Sequence, residues 1–206
     1  AADMYEAAAA LAAEPSLRGE CLVLAAEAAW EGGAPARAGA LLARSAGAPL
    51  SSAGRGRAAR VAGMMTLARG RQGDAFRHYL DGAASAAPDG AELLARAIGI
   101  AWWEGRHDWA IRGAESALLH ASEATPLGRV VRLAAPAGEM LFAGRLEEAA
   151  RGFAKAVELE PEMEDLRGLL FLGEVASLFG DDEAGERLHR RAFEVARQSD
   201  DSAELP

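Results

Sequence analysis

Apolar residues recur along this chain at three- and four-residue steps. In Leu146-Glu-Glu-Ala149-Ala150-Arg-Gly-Phe153-Ala-Lys-Ala156-Val157 they fall on one side of a helical wheel. Five stretches of this kind end in a similar way: Ala-Trp-Glu-Gly-Gly33, Leu-Ala-Arg-Gly70, Trp-Trp-Glu-Gly105, Leu-Phe-Ala-Gly144 and Ser-Leu-Phe-Gly180. Each is followed by a second amphipathic stretch. The glycines stand 37, 35, 39 and 36 residues apart, a period that suits a helix–turn–helix repeat. A helix that must reverse needs a left-handed residue at its end, and glycine adopts that conformation without a steric cost. Small residues sit at fixed distances from these glycines. Ala38, Ala75, Ala110, Ala149 and Gly185 lie five after, and Ser45, Gly82, Ala117, Ala156 and Ala192 lie twelve after. Such positions let two helix backbones approach closely.

These positions predict an all-α chain: a leading helix over 1–14, then repeats over 17–50, 51–88, 89–122, 125–161 and 162–198, then a tail over 199–206. Start signals include Thr125-Pro126 and the Asp-x-x-Glu box Asp89-Gly-Ala-Glu92. Pro49, Pro88 and Pro161 fall between repeats. Pro136 lies inside a helical stretch and predicts a kink or break there.

The segment Gly144-Arg-Leu-Glu-Glu-Ala149-Ala-Arg-Gly-Phe153-Ala-Lys-Ala156-Val-Glu-Leu-Glu-Pro161 resembles the tetratricopeptide repeat in its glycine, alanine, aromatic, alanine and proline positions. Around Gly70, Ala75 and Tyr79 are kept but Gly82 replaces the second alanine. The segments at Gly33, Gly105 and Gly180 lack the aromatic or the closing proline. This resemblance implies a right-handed solenoid of about five antiparallel helix pairs plus the leading helix.

A narrower likeness is carried by Leu22-Val-Leu-Ala-Ala-Glu-Ala-Ala-Trp30-Glu-Gly-Gly, Ala62-Gly-Met-Met-Thr-Leu-Ala-Arg-Gly70 and Ile100-Ala-Trp-Trp-Glu-Gly105. These are similar to the helical region of large ATP-binding regulators of the LuxR type. The Ala/Arg/Gly bias, with Lys155 as sole lysine and no Asn, is similar to proteins of GC-rich bacteria such as actinomycetes. The likeness implies a fragment, opening without Met, of a chain that carries a nucleotide-binding module before it and a DNA-binding helix-turn-helix after it. The implied role is non-enzymatic: sensing an effector or partner and relaying it to those modules. The alternative is a stand-alone peptide-binding tetratricopeptide adaptor.

Searching for chemistry changes this picture little. No Gly-x-x-x-x-Gly-Lys-Ser/Thr occurs, and Gly54-Arg-Gly56 lacks the preceding strand that dinucleotide binding requires. His78, His107, His120 and His189 show no paired ligand spacing, and Cys21, alone in an apolar run, reads as a buried thiol. Neither catalytic residues, a metal site nor a cofactor is expected. Asp181-Asp182-Glu183 reads as helix-start acids, and Asp200-Asp201 as a polar tail. A net charge of -9 argues against direct nucleic-acid binding, and no apolar stretch suits a membrane. A cytoplasmic location follows from the cysteine usage. The expected partners are other modules of the parent chain, a protein, peptide or small-molecule effector, or a second copy of the chain.

If the first helix of each pair lines a concave face, positions three, six, ten and thirteen before each glycine point into it. The candidate contacts are Trp30, Arg57, Arg60, Met64, Trp102 and Leu141. Two readings stand: core packing, or an apolar-floored groove in which Arg57 and Arg60 bind an acidic ligand. In the groove reading Gly99 and Gly138 leave space beside Trp102, and Trp102→Ala weakens binding without loss of helix. Trp103 and Trp109 are expected to lock the Gly105 turn. The clusters Arg55/Arg57/Arg60 and Arg187/Arg190/Arg191 read as solvated faces or contacts with acidic neighbours.

Overall fold

A computed structural model describes residues 1–86 and 90–199. Pro88, Asp89 with its capping box, and Asp200-Asp201 lie outside the described residues. The described residues form eleven α-helices and no strand. They are α1 (Ala2–Leu11), α2 (Pro15–Glu31), α3 (Pro35–Ser45), α4 (Ser52–Leu67), α5 (Gln72–Ala86) and α6 (Ala91–Trp103). Then come α7 (His107–His120), α8 (Pro126–Phe142), α9 (Leu146–Val157), α10 (Leu166–Phe179) and α11 (Asp182–Ser199), with a 3-10 turn at Glu160–Glu162. No helix among these residues is long and apolar enough to cross a membrane.

Side chains set the helix starts. The Thr125 hydroxyl accepts from the Gly128 N–H at 3.1 Å, with Pro126 opening α8. Ser51 accepts from Gly54 N–H at 3.0 Å to cap α4, and Asp165 from Gly168 N–H at 2.7 Å to cap α10. Each satisfies a donor that the first turn leaves without a helical partner. The helix ends close on Gly33, Gly70, Gly105, Gly144 and Gly180, all at φ between +63° and +86°.

Gly144, at φ +77°, has nothing within 4 Å of the place a side chain would take. A substitution there meets only the conformational penalty. Gly144→Val is expected to cost roughly 1–2 kcal/mol, read as a lower chemical-denaturation midpoint. An unchanged midpoint would show that the turn tolerates another backbone conformation.

Of the kink or break expected at Pro136, the break does not occur: α8 runs through it. The proline removes one backbone donor, but its neighbours Ala134, Ala135 and Ala137 are each at most 1% exposed. Burial on that scale holds the helix against the lost bond.

The chain divides into two compact units, Ala1–Leu93 and Leu94 onward. In the first, α2 packs on α1 and α3, and α4 packs on α5, α2 and α3. Its core gathers Leu22, Ala25, Ala26, Ala29, Leu41, Val61 and Met65, with the Cys21 thiol buried among them. In the second, α8 packs on α7 and α9, and α10 packs on α11, α9 and α8. Phe153, Phe171, Leu169, Leu172 and Leu188 fill it, each at most 1% exposed. Alanine and glycine at the crossings bring the helices together: a Cβ at Gly152 would come 2.6 Å from that of Ala137.

Candidate functional site

In the first unit, Arg57 and Arg60 lie three apart on α4 and so share a face. They line an open cleft of about 440 Å³ with Glu27, Glu31 and Glu92. Its walls also include Ala53, Gly56 and Ala86, whose small side chains leave the space between the charged groups. The arginines are already engaged. Arg60 donates to Glu27, and its Nε stands 4.0 Å from Glu92 Oε1. Arg57 Nη1 stands 3.9 Å from Glu27 Oε2. The Glu27 side chain is only 13% exposed, so it acts as a fixed internal counter-ion. Of the readings the sequence left open, contact with acidic neighbours is the one these pairs match; an acidic ligand must compete with Glu27, and the cleft holds three carboxylates against two guanidinium groups. Arg55 is likewise spent on backbone, donating to Ser85 O and Leu50 O.

Trp30 does not join that cleft. It lines a separate one of about 520 Å³ with Gly33, Pro35, Ala36, Met65, Ala68 and Arg69. Met64 is half-buried, and it is its neighbour Met65 that faces this space. An adjoining cleft of about 330 Å³ shares Met65 and Arg69 and adds Gly39, Leu42 and Thr66. Thr66 is satisfied within its own helix, donating to Ala62 O at 2.6 Å.

In the second unit Trp102 is 6% exposed. It stacks on Phe171 with centroids 5.5 Å apart and planes 13° apart, and meets Phe153 edge-on at 5.9 Å. A Cβ at Gly138 would overlap the indole Nε1. The room that Gly138 leaves is therefore occupied by Trp102 itself, which corrects the groove reading for this residue. Leu141 is half-buried on the same helix as Gly138. At the Gly105 turn, the Arg106 guanidinium lies 4.5 Å from the centroid of the Trp109 ring, whereas Trp103 is 78% exposed and locks nothing.

Glu174 has no role in the sequence pattern; its side chain is half-buried, with Oε2 shielded from solvent. Its Oε2 comes 3.1 Å from the place a Cβ would take at Gly99, and it accepts no hydrogen bond. The buried Trp102 Nε1 also donates none. Burial pushes the Glu174 carboxyl above its ordinary range, and its neighbours Arg167, His189 and Arg96 pull only part of the way back. The signal available in the sequence was its place six before Gly180, where α6 and α8 have glycines.

Because the folded protein holds this proton more tightly than the unfolded chain, the linked stability is fully present below about pH 4.3. It falls as pH rises towards the raised folded value. Glu174→Gln mimics the protonated form, so its melting temperature minus that of the wild type should grow as pH rises from 4 to 7. A pH-independent difference would reject a proton held in the fold. Opposite behaviour governs Glu160, which Arg187 and Arg191 hold below the usual carboxylate range against the effect of its own partial burial.

Among the described residues no group of three His, Cys, Asp or Glu side chains is placed to hold a metal ion. Compared with family models, curated proteins and solved structures, the chain matches none.

Proposed function

We propose that the chain is a non-enzymatic regulatory and interaction module, built as a tetratricopeptide-like right-handed solenoid of about five helix pairs. In this reading it belongs to a bacterial transcriptional regulator of the LuxR type. It senses an effector or partner and relays that event to attached ATPase and DNA-binding modules. The observation that carries the reading is that five of the six left-handed glycines among the described residues, all but Gly47, stand at a near-constant interval, each ending a helix shortly before the next begins. Such hairpins have nearest-neighbour contacts, so a ligand seated between them changes how adjacent pairs stack. A ligand that prefers one stacking shifts the population towards it, by no more than its difference in affinity between the two arrangements.

The test is the reading frame on either side of the chain. A phosphate-binding Gly-x-x-x-x-Gly-Lys-Ser/Thr module on the N-terminal side and a helix-turn-helix on the C-terminal side support the reading. A frame with neither overturns it in favour of the stand-alone peptide-binding adaptor.

A further inference from the structure

The cleft that takes Trp30 differs chemically from the charged one beside Arg57. Pro35 and Ala36 at the start of α3 form one side, and Met65 and Ala68 near the end of α4 the other. Trp30 closes it from the end of α2, half-buried and packed on the core of the first unit. Gly39, in the adjoining cleft, admits the Met65 side chain: a Cβ there would come 2.9 Å from its methyl carbon. Methionine in such a place adapts to the shape of what it meets.

Arg69 stands at the edge of this space and of the adjoining cleft. The other arginines of the first unit are taken. Arg37 and Arg44 meet Glu6, Arg57 and Arg60 meet Glu27, Arg71 and Arg77 meet Asp74, and Arg18 and Arg55 donate to carbonyls. The guanidinium of Arg69 alone, among the described residues of this unit, meets neither. The chain as a whole carries a net charge of -9. An unneutralised cation beside an apolar cavity is therefore the local exception in an acidic protein. At about 520 Å³ the space falls within the range of roughly 300–1,000 Å³ typical of small-molecule sites.

We infer that the cleft between Trp30, Met65 and Arg69 binds an apolar monoanion: a small molecule whose aryl or short aliphatic body lies against Trp30 and Met65 while its carboxylate accepts from the Arg69 guanidinium. The inference goes beyond the regulator reading and does not need it, since binding here is a property of this chain alone.

Calorimetric titration of the whole chain with 1-naphthylacetate, and with its uncharged counterpart 1-naphthylacetamide, tests it. Both probes offer the same ring, and only the first offers a charge. The acid is expected to bind more tightly. Arg69→Gln, at an exposed position, should weaken the acid about fivefold to tenfold and leave the amide unchanged. Ala36→Trp, which fills the cleft from an exposed position, should abolish binding of both while the melting temperature holds. Arg57→Gln should change neither. The inference is overturned if the wild type binds neither probe at millimolar concentration, if Arg69→Gln weakens both probes equally or neither, or if Arg57→Gln removes the binding instead. None of these outcomes bears on the flanking reading frame.

Discussion

Trp102→Ala is expected to lower the unfolding free energy by about 3–5 kcal/mol. The indole is 6% exposed, stacked on Phe171 and edge-on to Phe153, so truncation removes a large apolar surface and two ring contacts. Aromatic pairs of this geometry add about 0.5–1.5 kcal/mol each beyond the area they bury. The total is a large share of the roughly 5–15 kcal/mol that holds a typical domain together. Urea denaturation followed by circular dichroism reads it directly. A variant with the wild-type midpoint would place Trp102 on a surface and restore the groove reading. Trp102→Phe should lose less, because it keeps a ring against Phe171 and removes an indole N–H that has no acceptor.

In the first unit, Gly63→Ala is expected to destabilise by about 1–3 kcal/mol. An ordinary exposed helix position would gain up to about 1 kcal/mol from the same change, because alanine is the better helix former. Here the added Cβ would overlap the ring of Tyr79, which is 1% exposed and cannot swing into solvent. The sterics therefore reverse the sign that propensity gives. Tyr79→Leu should cost stability alone yet lessen the damage in combination with Gly63→Ala, since the two changes act on one volume. Additive losses in the double variant would show that the overlap is relieved by backbone movement instead.

The helices and their ends were legible in the sequence because they depend on local chemistry. The three- and four-residue apolar period marks the helices, Thr125-Pro126 marks a start, and the glycines mark the ends. The grouping of candidate site residues was not legible, for a geometric reason. Trp30, Arg57 and Arg60 share a helical phase relative to their turns. Phase says nothing of height along the axis, and the seven and ten register positions that separate Trp30 from Arg60 and Arg57 amount to about 10 and 15 Å of rise. Trp30 therefore meets the end of α4 at Met65 and Ala68, while Arg60 meets Glu27 further back.

Burial of the two tryptophans differs for a related reason. The register position six before the glycine in the following repeat is Gly138 for Trp102 and Met64 for Trp30. At Gly138 the missing side chain admits the Trp102 indole, whereas Trp30 lies half-buried against Met65. The shielding of the Glu174 Oε2 was also hidden. A lone glutamate in an amphipathic helix reads as solvated until the helices packed around it are known.

One contact in the first unit ties two helix pairs together. Besides its own cap, the start of α4 is held from outside, because Ser51 N–H donates to Glu20 Oε1 on α2 at 2.7 Å. Glu20→Ala should speed hydrogen exchange at the Ser51 amide, and an unaltered rate would show that solvent serves equally well. The bond spans 31 residues. Loss of that one carboxylate therefore loosens the entry to the later hairpin while leaving the Ser51 side-chain cap in place.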